Sequence, residues 1–127
     1  MNDMLTKTFT AGAAINPCRF LKIGASDRLV IEAVDASAPI IGVSPLRPAI
    51  ASGDRIDVQI FGIAKVRIDG TPARGTLVTA TTAGKGAAIG AGTAVQYVGG
   101  VIINTAADED LCDVILTPGG SVNLGIT

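Results

Sequence analysis

The stretch Gly53–Gly70, GDRIDVQIFGIAKVRIDG, decides the fold. Every even-numbered position from Ile56 to Ile68 is apolar or glycine: Ile56, Val58, Ile60, Gly62, Ala64, Val66 and Ile68. Asp57, Gln59, Lys65, Arg67 and Asp69 fill most of the odd ones. Successive strand side chains point to opposite faces, so a period of two is a β signal. Unbroken, the segment would reach roughly 43 Å at about 3.3 Å per residue, well beyond the usual strand. A bend is therefore expected near Gly62, where the chain passes from one sheet to the next. Phe61 and Ile63 are the exceptions, placing apolar groups on the polar face. Either the bend turns them into the protein's own core, or they form a subunit interface together with Lys65 and Arg67.

The remaining composition agrees with an all-β chain. Its 127 residues suit one domain with a real core, and no stretch carries a capped apolar stripe of helical period. Trp is absent and aromatics are scarce, while the mean hydropathy is high for a soluble monomer. Such a surplus suggests apolar surface buried between chains. Net charge is −1, which gives no electrostatic case for nucleic acid as a partner. The ten Lys and Arg all lie at or before Lys85, whereas Asp108, Glu109, Asp110 and Asp113 follow it. This asymmetry suits docking on a charged lattice, unless folding mixes the two regions. The N-terminus lacks the pattern of a signal peptide, and Ala87–Ile103 is too interrupted for a membrane span, so no membrane partner is expected. Cys18 and Cys112 read as small buried hydrophobes.

Taken in order, Leu5–Thr10 alternates apolar and Thr residues and reads as part of an extended N-terminal arm over residues 1–15. Residues 16–127 are then one small β-barrel or β-sandwich, a jelly roll among the options. Strands are expected at Arg19–Gly24, Arg28–Val34, Ile40–Ser44, Thr76–Thr81, Val95–Asn104 and Leu111–Thr117, with a weak edge strand at Ser121–Leu124. Ala83–Gly92 reads as a glycine-rich hairpin region. A faint duplication runs through this order. Ile41-Gly42-Val43 returns as Gly99-Gly100-Val101, Asp57-Val58 with Ile60 as Asp113-Val114 with Leu116, and Leu21 as Leu77. Between the first two landmarks, Ala51–Asp54 matches Ala106–Glu109.

Catalytic and metal motifs are missing. With no histidine, Ser-His-Asp and Cys-His machinery and His-metal clusters are excluded. The two cysteines form no CxxC, and Gly84-Lys85-Gly86 lacks both the Ser/Thr and the first glycine of a P-loop. Asp108, Glu109, Asp110 and Asp113 lack the spacing and glycine of an EF-hand and read as a solvated acidic loop. Four aromatic residues are too few for a single-strand nucleic-acid face. No cofactor, metal or enzymatic activity is expected.

Several segments together resemble one family. They are Lys7–Ile15 (KTFTAGAAI), Ile40–Val43 (IIGV), Ala51–Val58 (ASGDRIDV), Gly62–Val66 (GIAKV) and Cys112–Gly119 (CDVILTPG). Their order and spacing resemble the phage capsid decoration, or cement, proteins catalogued as the domain of unknown function DUF2190. The resemblance implies a β-barrel or β-sandwich on the outer surface of a phage head, made in the bacterial host cytoplasm, that clips neighbouring major capsid proteins together. It also implies a homo-oligomer, a trimer in preference to a dimer. The chain departs from the family where Asp108-Glu109-Asp110 replaces a Gly-Asp before the last strand. On this reading Leu5, Thr6, Lys7, Thr8, Phe9 and Thr10 contact the capsid by adding a strand to a neighbour's sheet edge. The rival expectations are a head-fibre base or a sugar-binding β-sandwich.

Overall fold

The computed structural model describes residues 5–35, 37, 39–46, 51–89, 95–105 and 107–123. They form ten strands: β1 (Leu5–Ala11), β2 (Phe20–Ile23), β3 (Leu29–Glu32), β4 (Gly42–Val43), β5 (Arg55–Phe61), β6 (Ile63–Arg67), β7 (Leu77–Ala80), β8 (Gly86–Ala88), β9 (Val95–Ile102) and β10 (Leu111–Asn123). A single 3-10 turn, Thr82–Gly84, links β7 to β8. The all-β expectation holds. Rather than an eight-stranded jelly roll, the chain takes two five-stranded units, which meet at the bend in the Gly53–Gly70 segment.

That bend falls at Gly62, whose φ of 97° lies in the left-handed region that side chains disfavour. Gln59 holds it from within: its amide Nε2 donates to the carbonyls of Phe61 and Ile63 at 3.2 and 3.0 Å. On the near side β5 ends the first unit, and on the far side β6 begins the second.

The first unit is a closed barrel in the order β1-β3-β2-β4-β5, with β1 antiparallel to β5 and parallel to β3. The second is a sheet in the order β6-β10-β9-β7-β8, whose two ends are joined by a parallel bridge between Ile68 and Gly86. Each strand of one unit has its counterpart in the other. β2 pairs with β3 and β4 as β7 pairs with β8 and β9, and β4 pairs with β5 as β9 pairs with β10. The antiparallel β1–β5 pair matches β6–β10, and the parallel pair Ala11–Val30 matches the bridge Ile68–Gly86. The duplication is thus a repeat of the whole strand circuit.

The repeat corrects two of the sequence landmarks by one residue. Gly42 and Gly100 occupy equivalent places, and Leu21 and Val78 pair with them, so Leu21 matches Val78 rather than Leu77. The turn Ala51–Asp54 matches Ala107–Asp110 rather than Ala106–Glu109. Gly53 N–H donates to the Ala11 carbonyl and Glu109 N–H to the Ile68 carbonyl, at 2.7 and 2.8 Å. Both residues have positive φ, 90° for Gly53 and 68° for Glu109, so the turn survives the loss of its glycine. Gly53→Val is expected to cost about 1–2 kcal/mol through left-handed backbone strain alone. Nothing lies within 4 Å of where its Cβ would stand, so urea unfolding reads that strain without a clash.

The position of Leu5–Thr10 differs from a free arm. β1 runs along β5 from Leu5 to Thr10 and reaches β3 at Thr10 and Ala11, so it closes the chain's own barrel. The period of two already allowed this, because Phe9 packs partly buried against the barrel core and Ala11 lies within it. Removing residues 1–10 therefore removes a barrel strand.

Two apolar clusters fill the molecule. Ala11, Ile15, Leu21, Val30, Ile56 and Val58 fill the first barrel. The second unit encloses Val66, Ile68, Val78, Cys112, Val114 and Leu116, and to these are added Phe20, Ala33, Ile40 and Val43 from the first. Phe20 is the joint. In the repeat, Val30 and Ile41 correspond to Gly86 and Gly99, and the room these glycines leave is filled by the Phe20 ring. A Cβ on Gly99 would stand 2.5 Å from that ring, and one on Gly86 3.2 Å. Arg19 ties the same seam, donating from Nη1 to the Ala83 carbonyl at 2.9 Å. Cys18 and Cys112 are free thiols and both are buried.

Candidate interaction surface

The residues expected to make contacts fall into two groups that meet at the bend. Leu5 of β1 lies opposite Phe61 of β5, and both are open to solvent, 46% and 59% exposed. The bend therefore does not carry Phe61 into the core. Thr6, Lys7 and Thr8 are exposed along the same strand, and Thr8 Oγ1 donates to Asp57 at 2.8 Å. Phe9 packs against the barrel core, and Thr10 on the opposite face is half-buried. Because β3 joins β1 only at Thr10 and Ala11, the outer edge of Leu5–Phe9 has no strand beside it among the described residues. An open sheet edge of this kind offers main-chain hydrogen bonds to a partner.

Ile63, Lys65 and Arg67 line the outer side of β6, in register with Ile115, Asp113 and Leu111 of β10. Lys65 pairs with Asp113 at 2.8 Å, and this hydrogen-bonded carboxylate holds the ammonium pKa above its ordinary value. Arg67 Nη1 donates to the Glu109 carbonyl at 2.6 Å, and Lys85 pairs with the Glu109 carboxylate at 2.5 Å. Lys65, Arg67 and Lys85 of the basic region thus meet Asp113 and Glu109 of the acidic one inside the second unit. At these contacts folding mixes residues of the two regions.

Ile63 also belongs to a row that sequence reasoning missed. Leu77 lies opposite Val101, Val101 opposite Ile115, and Ile115 opposite Ile63, so four apolar residues cross four strands on one face. Leu77 and Ile115 are 39% and 43% exposed. Ile103 and Leu111 are exposed on the same face, where Ile103 N–H donates to the Asp113 carbonyl. One signal was available. In Leu111–Leu116, Leu111 and Ile115 are apolar on the same face as Asp113, while Cys112, Val114 and Leu116 fill the other. A strand apolar on both faces expects cover on both.

The chemistry of the surface is that of contact. Among the described residues no group of three or more His, Cys, Asp and Glu is placed to hold a metal ion. Burial pushes the pKa of both thiols up, which leaves them weak nucleophiles. The larger groove, about 260 Å³ and lined by Thr8, Phe9, Thr10, Arg28 and Arg55, follows the open edge of β1. A smaller one, about 170 Å³, lies at the seam between Val43, Gln59 and Ile63. Both fall below the usual size of a small-molecule pocket, roughly 300–1,000 Å³. Among the described residues no helix is long and apolar enough to cross a membrane.

No family model and no curated protein matches the sequence. Among solved structures, the chain is similar to the head fiber gp8.5 N base of bacteriophage phi29, with a TM-score of 0.67 at 15% identity. The likeness covers 91% of this chain and 95% of that one, so the two share a fold over nearly their whole length.

Proposed function

We propose that this protein is a structural component of a phage virion that decorates the outer surface of the head and stabilises contacts between major capsid proteins. One observation carries the virion reading, the fold shared from end to end with a phage head fibre base. The family resemblance of the sequence adds the decoration role. The partner is the major capsid protein, and the contact is made by Leu5, Thr6, Lys7 and Thr8 along the open edge of β1, with Phe61 beside them. Phe9 supports that edge from the barrel side, and half-buried Thr10 ends it. Many weak contacts of this kind, repeated over a lattice, hold a shell by multivalency without a deep site on any one copy. A head-fibre base is the second reading, favoured by the same fold likeness; it uses the same anchoring surface and differs in what stands above it.

The anchoring surface is tested by Leu5→Asp combined with Phe61→Asp. Both side chains are exposed, so the barrel should keep its melting temperature within a few degrees. Co-sedimentation with phage shells lacking the protein should fall at least roughly tenfold, the scale of losing one apolar anchor. Undiminished binding would move the contact elsewhere on the molecule.

A further inference from the structure

The repeat allows one face of the molecule to be read from another. In the first unit, Phe20, Val43 and Gln59 lie in register across β2, β4 and β5. The second unit covers this row: Phe20 and Val43 are fully buried, in one cluster with the second unit's core. The equivalent row in the second unit is Leu77, Val101 and Ile115, extended by Ile63 on β6. It is as apolar as the first, and Leu77 and Ile115 stand exposed on it.

We infer that this face binds a second copy of the same chain, whose first unit lies on it in the relation that the second unit bears to the first within one chain. The contact is head to tail, and with a rotation that closes it makes a ring of chains in which each barrel covers its neighbour. The face suits such a partner. Lys65 and Asp113 neutralise each other within it, and around that pair stand the exposed aliphatic side chains Leu77, Ile103, Leu111 and Ile115, with Thr117 at its margin. The contact between chains is shallower than the one within a chain. In the first barrel Val30 and Ile41 fill the place that Gly86 and Gly99 leave open for Phe20, so Leu77 rests against the neighbour instead of entering it. The turn that packs on Arg19 and Phe20 within a chain is Thr82–Gly84. Its counterpart is Ser26–Arg28, which places Asp27 of the neighbour near Leu77.

This inference goes beyond the virion reading and stands on the repeat alone. Failure to bind shells leaves it intact, and a monomeric chain leaves shell binding intact. The purified full chain should be a closed oligomer by native mass spectrometry at micromolar concentration. Leu77→Glu with Ile115→Lys should raise the dissociation constant of that oligomer roughly a hundredfold, the scale of hot-spot loss at an interface. The direction of packing has its own test, which does not depend on the fold of a charged variant. A short bis-maleimide should join Leu77→Cys chains to Asp27→Cys chains when the two are mixed, Cys18 and Cys112 being buried. A monomeric wild-type chain would overturn the inference. So would cross-linking of Leu77→Cys to itself without the Asp27→Cys partner.

Discussion

Phe20→Ala is expected to destabilise the protein by about 3–5 kcal/mol, the range for deleting a buried aromatic ring. The ring is fully buried and is shared by both units, so its loss opens a cavity at the seam as well as removing apolar burial. The variant should also unfold less cooperatively, the two units separating in denaturant. Gly99→Val alone should be destabilising as well, because its Cβ would stand 2.5 Å from the ring. In the Phe20→Ala background the same valine enters the space the ring has left, as Ile41 fills the matching place in the first barrel. The double variant should therefore be more stable than the two single losses add up to, with a coupling of about 1–3 kcal/mol. Additive losses would mean that Phe20 does not fill the room left by the glycine.

Gly100→Ala is the second large effect, and Gly42→Ala its twin in the other unit. A Cβ on Gly100 would run into the Ile115 carbonyl oxygen and stand 2.7 Å from Val114 Cγ1. On Gly42 it would meet the Gln59 carbonyl oxygen and stand 2.7 Å from Val58 Cγ1. Both obstacles are backbone of the neighbouring strand, which cannot rotate aside as a side chain does. Each substitution should cost about 3 kcal/mol, the upper part of the range for overpacking. Urea melts of the two variants should agree closely, since the strands cross in the same way in both units. Gly99 and Gly86, by contrast, are close to a side chain, and their effects depend on Phe20.

Much of this was legible in the sequence, and particular residues show where legibility ended. The period of two through Gly62 gave the strands and their bend, because alternation and the absence of a Cβ act locally. The landmarks around Gly42 and Gly100 pointed to the repeat, because both glycines answer the same close approach of strands. The register between Leu21 and Leu77 was off by one, since only pairing across the sheet distinguishes Leu77 from Val78. Leu5–Thr10 reads equally well as a free arm or as a barrel strand; alternation states which faces a strand has and leaves open what lies beside it. The same limit hid the row Leu77, Val101, Ile115 and Ile63, whose members come from four strands far apart in the chain. The two-sided apolar pattern of Leu111–Leu116 was its only local trace. Glu109 in a left-handed turn was equally hidden, because the sequence there offers no glycine to mark it.

The function reading is tested most directly by counting bound copies per shell. Purified wild-type protein would be titrated onto expanded shells of its own phage that lack it, and the bound fraction recovered by sedimentation. Saturation at a number commensurate with the icosahedral lattice, with shells that then survive heating better, is the result expected of a decoration protein. Absence of binding at high concentration would contradict it, and the open edge of β1 would then belong to a different partner.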